Sequence, residues 1–87
     1  MLLAQKIPID DIYVPAGKRK TLNAETVQAL AEDILENGLK TPVMVRPDNK
    51  RPDGKRHILV EGLHRLEAAR SLGETEIDAF LVQSRKH

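Results

Sequence analysis

Apolar and polar residues are distributed along the chain in short runs that predict four strands and two helices. The predicted strands contain apolar or β-branched residues, are bounded by Pro, Gly or Asp, and lie at residues 6–9, 42–47, 57–60 and 77–82. With the helices between them the order is β-α-β-β-α-β. This order indicates an α+β domain, with a small mixed β-sheet and two principal helices. A single domain over residues 1–87 is expected, ending in a polar tail at about 83–87.

The first helix is predicted over residues 25–37, between Asn23 as N-cap and Gly38 as the left-handed residue after its end. Glu25 places a negative charge in the first turn, where the helix dipole favours it. Apolar residues recur at i, i+3, i+4, i+7 and i+8, and these are Val27, Leu30, Ala31, Ile34 and Leu35. This spacing predicts an amphipathic helix whose apolar stripe packs against the sheet. Before it, residues 17–23 are predicted to form a polar, basic loop.

The second helix is predicted over residues 63–71 and begins directly after a strand and Gly62. Its first turn contains His64 and Arg65. Backbone N–H groups of a first turn have no acceptor within the helix, and the dipole there attracts anions, so a cation is locally unfavourable. Arg65 is better explained if a phosphate lies between these amides and its guanidinium, which offers a bidentate fork. The alternative is a tight turn at Gly62 with both side chains in solvent, since strand–glycine–helix junctions are common.

A further loop joins the first helix to the second strand at residues 38–42. By itself, this 38–42 loop predicts only a helix end and a strand entry. It precedes one strand of the predicted hairpin, however, and residues 62–65 (the 62–65 turn) follow the other strand. The two segments can therefore lie at the same end of the sheet and contribute to one anion site.

Composition and charge narrow the functional classes. The chain has 14 Lys and Arg against 13 Asp and Glu, and the net charge of +1 excludes a general attraction to nucleic acid or anionic membranes. The absence of Cys excludes disulfides, thiolate zinc sites and cysteine catalysis. The sequence shows neither a signal peptide nor a membrane-spanning run, so a cytoplasmic location without a membrane partner is expected. No spacing diagnostic of a metal site is found among the carboxylates Glu61, Glu67, Asp48 and Asp53.

Two local clusters of basic residues are the candidate electrostatic surfaces. The first basic cluster contains Lys18, Arg19 and Lys20, and the second contains Lys50, Arg51, Lys55 and Arg56. Such clusters are usually solvated loops. The functional alternative is contact with the phosphates of DNA or of a nucleotide.

With these residues in view, the chain resembles the N-terminal domain of ParB partition proteins and their relatives in the ParB/sulfiredoxin superfamily, from residue 7 to residue 82. The most specific blocks are GLKTPVMVRP at 38–47 and EGLHRLEAA at 61–69, in this order and spacing. In this family the two loops bind nucleotide phosphates, of CTP in partition proteins and of ATP in sulfiredoxins. The resemblance implies a CTP or ATP site with Mg²⁺. It also implies contacts to the triphosphate from Arg19, Gly38, Leu39, Thr41, Pro42, Gly62, Leu63, His64 and Arg65.

Two departures from the family pattern concern catalysis. Partition proteins have Gly-Glu-Arg-Arg and sulfiredoxins have Gly-Cys-His-Arg where this chain has Gly-Leu-His-Arg at 62–65. Leu63 thus replaces both the glutamate linked to Mg²⁺ and hydrolysis and the cysteine of sulfinic acid chemistry. Sulfiredoxin activity is excluded because the chain has no Cys. Glu61 is the remaining candidate catalytic carboxylate, and weak NTPase or nuclease activity stays open.

The leading interpretation is a regulatory or partition-type switch that binds a nucleotide with Mg²⁺. One alternative is a DNA-binding protein or ParB-like nuclease of plasmid or chromosome maintenance, with DNA contacts from the two basic clusters. Another is a kinase for a small molecule such as serine, with Glu61 or Glu36 as the base. A homodimer is compatible with each of these interpretations.

Overall fold

The computed structural model describes residues 3–83, where the chain folds around a five-stranded mixed sheet. The strands are β1 (Gln5–Pro8), β2 (Ile12–Tyr13), β3 (Val43–Pro47), β4 (His57–Glu61) and β5 (Glu76–Leu81). The helices are α1 (Ala16–Arg19), α2 (Ala24–Asn37) and α3 (Leu63–Ser71). Within residues 3–83, no helix is long and apolar enough to cross a bilayer. Of the predicted polar tail, residues 84–87 lie outside the described part of the chain.

The sheet has the strand order β1-β5-β3-β4-β2. β3 and β4 form the predicted antiparallel hairpin, β1 is antiparallel to β5, and β3 is parallel to β5. The α+β class with a mixed sheet is therefore confirmed. The short strand β2, which is parallel to β4, was not predicted because two residues show no periodicity.

The core lies between the sheet and α3. On α3, Leu63, Leu66 and Ala69 are buried, and Leu66 is completely enclosed. The other large side chains with almost no exposure are Ile9, Ile12, Val43, Val45 and Leu59. The prediction of a helix over residues 63–71 is confirmed. Leu63, Leu66 and Ala69 lie three positions apart and Gly62 precedes them, which was sufficient to locate the helix, and Ala68 on another side of it is buried as well.

The structure corrects what α2 packs against. Its N-cap is as predicted, since the Asn23 side chain accepts a hydrogen bond from the Thr26 N–H at 3.0 Å. The helix packs mainly on α3, however, and none of its side chains is buried. Leu35, which was expected in the packed stripe, is 75% exposed. The prediction was wrong there because α3 covers the sheet, and one neighbouring helix contacts a narrower band of α2 than a sheet would.

The structure also corrects the loop predicted at residues 17–23, because its first part is the short helix α1. Pro15 directly precedes α1 with a φ of −57°, which suits the start of a helix. Lys18 and Arg19 lie in the last turn, where the helix dipole favours positive charge. Residues 20–23 then connect α1 to α2.

A carboxylate joins the connection between β1 and β2 to the start of β4. Asp11 accepts hydrogen bonds from the backbone N–H and the Nε–H of Arg56, each at 3.1 Å, and lies 3.2 Å from His57 Nδ1. Partial burial raises the pKa of Asp11. The hydrogen bonds and the positive charge of Arg56 outweigh this effect, so the pKa lies below its ordinary value of 3.8.

Asp11→Asn is expected to remove a pH-dependent part of the stability. A carboxylate with a lower pKa in the folded state stabilises the fold above its unfolded pKa, and this contribution is lost as pH falls through the folded value. The free energy of unfolding, measured in urea, should therefore fall more steeply for the wild type than for the variant as the pH is lowered below the ordinary pKa of 3.8. Asp10→Asn is the control, since the Asp10 side chain is 96% exposed, and it should follow the wild type. Parallel profiles for the wild type and Asp11→Asn would contradict the prediction.

Candidate functional site

The 38–42 loop and the 62–65 turn lie side by side at one end of the sheet, as the sequence predicts. β3 begins directly after the 38–42 loop, and β4 ends directly before the 62–65 turn. Because β3 and β4 are antiparallel, Met44 near the start of β3 lies opposite Glu61 at the end of β4. The hairpin therefore determines that the two segments meet.

Gly62 is required by the backbone and by its neighbour. Its φ of +109° is in the left-handed region, which residues with a Cβ rarely adopt. A Cβ on Gly62 would also lie 2.6 Å from Val43 Cγ1 and 2.9 Å from Val43 Cβ. The 62–65 turn can thus approach β3 this closely only because residue 62 is glycine.

The first turn of α3 presents backbone N–H groups at this end of the sheet. The first hydrogen bond of the helix is donated by the Leu66 N–H to the Gly62 carbonyl at 2.9 Å. The preceding amides of Leu63, His64 and Arg65 therefore have no acceptor within the helix, and Gly62 has no side chain to cap them. Such amides, together with the helix dipole, form a cradle suited to an anion.

Arg65 connects the two segments directly. Its Nη1 donates hydrogen bonds to the carbonyl oxygens of Thr41 and Pro42, both at 3.1 Å. The guanidinium thus lies between the first turn of α3 and the end of the 38–42 loop. The sequence placed Arg65 near this loop, but the carbonyl contacts were not predicted, because backbone acceptors leave no signal in the residue types.

His64 connects the same turn to the start of α2. Its Nε2 accepts a hydrogen bond from the backbone N–H of Asn23 at 3.0 Å. A backbone amide can only donate, so this ring nitrogen carries no proton and the imidazole is neutral in this arrangement. The contact was not predicted, since the two residues are 41 positions apart in the chain.

The leucines of the two segments are packing residues. Leu63 is 7% exposed and belongs to the core, and Leu39 packs against that core in a partly buried position. Their side chains are therefore directed into the protein, and each can offer an anion only its backbone N–H. Gly38 ends α2 with a φ of +78°.

Arg19 lies away from the cradle, in a separate groove, whereas Glu61 lies next to the cradle. Arg19 is exposed at the end of α1 and lines a groove of about 330 Å³ together with Lys55, Glu67 and Arg70. Neither the 38–42 loop nor the 62–65 turn lines that groove. Glu61, by contrast, is exposed at the last position of β4, directly before the turn.

Most of the second basic cluster is engaged within the chain. The Arg51 guanidinium lies 3.4 Å from the centroid of the Tyr13 ring and pairs with Asp53 at 2.9 Å. Arg56 and Lys55 both bind the connection between β1 and β2, one through a carboxylate and the other through a backbone carbonyl. These contacts hold the hairpin loop in place and give the cluster a structural role.

The residues present are compatible with Mg²⁺ bound together with a nucleotide. Within residues 3–83, no three Asp, Glu or His side chains are placed to bind one metal ion together. Mg²⁺ requires less from the protein when it binds with phosphates, since it keeps several waters and takes one or two carboxylates. Glu61 is a carboxylate at the edge of the cradle that meets this requirement.

Comparison with known proteins connects this site to a family. The family model of the ParB N-terminal domain matches residues 2–87. The probable chromosome-partitioning protein ParB of Campylobacter jejuni is 38% identical over 77 residues, which are 87% of this chain and 26% of that protein. This chain thus spans about a quarter of the relative's length.

Two solved structures share the fold. The C-terminally truncated chromosome-partitioning protein ParB from Caulobacter crescentus, complexed with CTP-γ-S, is 24% identical with a TM-score of 0.79, over 97% of this chain and 46% of that one. Sulfiredoxin from Arabidopsis thaliana is 25% identical with a TM-score of 0.73, over 97% and 86% of the two chains. The expected ParB/sulfiredoxin-like fold is thereby confirmed.

Proposed function

This chain belongs to the ParB N-terminal domain family, and on that premise we propose that it is a nucleotide-binding module. It would hold the triphosphate of CTP or ATP, with Mg²⁺, between the 38–42 loop and the 62–65 turn. The observation that supports this most concerns three first-turn amides that have no acceptor in the described part of the chain: they lie with the Arg65 guanidinium at one end of the sheet. The Caulobacter protein of the same fold is complexed with CTP-γ-S.

The donors in the proposed site suit a polyphosphate. Within residues 3–83, Arg65 uses Nη1 for the loop carbonyls, while its Nε and Nη2 have no partner and offer a planar edge for phosphate oxygens. The α3 amides and dipole add donors that need no rearrangement. Glu61 would hold Mg²⁺ beside the phosphates, and the ion would neutralise part of their charge when bound.

Binding is proposed as the function, with slow turnover or none. The first position of α3 is the buried Leu63, which offers no carboxylate to a metal or a water molecule. His64 joins the cradle to Asn23 and so to the first basic cluster, which precedes it in the chain. Binding of phosphates in the cradle would then favour one conformation of the first basic cluster over others. Such a change of population is how a regulatory or partition-type switch works. A cytoplasmic location and a homodimer belong to the same proposal.

Calorimetric titration with CTP, ATP and GTP in Mg²⁺ tests the proposal. We expect one nucleotide to bind the wild type and Arg65→Ala to weaken its binding by about tenfold or more, because charge-assisted hydrogen bonds are lost. Arg56→Ala is a matched control, since Arg56 pairs with Asp11 outside the cradle, and it should bind like the wild type. Failure of all three nucleotides to bind, or equal affinity in Arg65→Ala, would refute the proposed site.

DNA binding is the second candidate function, since the Campylobacter relative is a chromosome-partitioning protein. The available charges are fewer than the sequence suggests, because Arg51, Lys55 and Arg56 already bind groups within the chain. Contacts would come mainly from the first basic cluster and Lys50. A salt titration separates the candidates, because phosphate contacts are strongest at low salt and absence of binding there removes this function. Within residues 3–83, no feature favours a small-molecule kinase over these two candidates.

A further inference from the structure

α2 is attached to the domain without a core of its own. None of its side chains is buried, and its apolar stripe contacts mainly α3. A helix held by half-buried apolar contacts gains less from burial than one that packs into a core. The polar contacts of the chain just before and just after α2 therefore have a large share in fixing its position.

Both of these contacts come from neighbouring residues in the first turn of α3. His64 binds the backbone N–H of Asn23, the residue that caps the start of α2. Arg65 binds the carbonyl oxygens of Thr41 and Pro42, which end the loop that follows α2. One turn of one helix thus holds the chain on both sides of another helix.

The chemistry of each contact is specific to the residue type. The His64 contact needs an unprotonated acceptor nitrogen, because a backbone N–H points at it. The Arg65 contact needs two N–H groups on one nitrogen, aimed at two consecutive carbonyls, and the planar guanidinium keeps both in place. A lysine would offer one charged group on a flexible stem and would hold this pair of acceptors less well.

We propose that His64 and Arg65 are positioning residues, which fasten the chain on both sides of α2 to the first turn of α3, His64 at the N-cap of α2 and Arg65 at the loop between α2 and β3. The position of α2 and the phosphate affinity of the cradle then depend on each other. The dependence on phosphate affinity rests on the proposed function, whereas the fastening by His64 and Arg65 concerns the protein without a ligand. The two residues act on different sides of α2, so their loss has different and local consequences.

Residue-resolved amide hydrogen exchange of the nucleotide-free protein tests the fastening. His64→Ala should speed exchange of the Asn23 N–H, which donates to His64, and of the Thr26 N–H, which donates to the Asn23 side chain, by about fivefold. This is the effect of losing a hydrogen bond of about 1 kcal/mol. Arg65→Ala should do the same for Gly38, whose N–H donates to the Ile34 carbonyl at the end of α2, and leave the start of α2 unchanged. His64→Gln, which keeps an acceptor, should restore slow exchange, whereas Arg65→Lys should not. Unchanged exchange, or an increase spread evenly over the domain, would overturn the proposal.

Titration with inorganic tripolyphosphate tests whether the phosphate affinity of the cradle depends on the position of α2. Asn23→Ala removes the side-chain cap of α2 without altering α3, and we expect it to weaken tripolyphosphate binding by about threefold to fivefold. Equal affinity in this variant would show that the position of α2 does not affect the cradle and would overturn that part. If the exchange pattern appears but the wild type does not bind tripolyphosphate, the proposed function fails while the fastening of α2 stands.

Discussion

Gly62→Ala is expected to destabilise the domain by roughly 2–4 kcal/mol, combining backbone strain at positive φ with overpacking against a neighbour. The φ of +109° is unfavourable for alanine, and its Cβ would lie 2.6 Å from Val43 Cγ1. Val43 is fully buried, so it cannot move aside without disturbing the core. Urea unfolding measures the loss of stability. The fraction that stays folded should also bind nucleotide more weakly, since the 62–65 turn is displaced.

Other glycines of the same chain separate the two causes. Gly54 has a φ of +81°, and a methyl group on it would meet no atom within 4 Å, so Gly54→Ala should show the strain of positive φ alone. Gly17 lies in α1 with neither feature, and Gly17→Ala should be neutral or stabilising by up to about 1 kcal/mol. If Gly62→Ala lowers the free energy of unfolding no more than Gly54→Ala does, the close approach of Val43 is not a reason why residue 62 must be glycine.

Leu66→Ala is expected to cost about 2–5 kcal/mol, the range observed when a large buried side chain leaves a cavity. Leu66 has no exposed surface and lies where α3 packs on the sheet. A domain of this length has roughly 4–13 kcal/mol of stability, so the loss is a large share of the total and the variant should unfold at a clearly lower temperature than the wild type. Circular dichroism during thermal unfolding measures the decrease in the melting temperature.

Leu35→Ala provides the matched comparison on the other helix. The same atoms are removed, but Leu35 is 75% exposed and leaves no cavity, so the change should stay within about 0.5 kcal/mol. Similar losses for the two variants would mean that α2 has an apolar partner at Leu35 in solution, or that α3 is not the helix that closes the core.

The 62–65 turn was identified as a candidate site from local sequence, but the role of each side chain in the site was not. A glycine followed by a helix with His64 and Arg65 in its first turn is recognisable because helix ends have known chemistry. The family resemblance grouped Leu63 and Arg19 with the phosphate contacts, which stays a prediction. The structure buries the side chain of Leu63 and places Arg19 in a separate groove. Burial and direction of a side chain depend on which element covers it, and local spacing does not contain that information.

The sequence by itself determined the two principal helices, the hairpin and the meeting of the 38–42 loop with the 62–65 turn. The helices and the hairpin follow from spacing, capping residues and turn residues along the chain, and the antiparallel pairing of the hairpin's strands then brings the two segments together. Only the tertiary structure decided that α2 packs on α3, that Asp11 binds Arg56, and that His64 binds Asn23. Asp11 and Arg56 are 45 positions apart in the chain, and Asn23 and His64 are 41 positions apart. Such contacts arise only after the sheet has brought distant segments together, because no local preference of either residue specifies its partner.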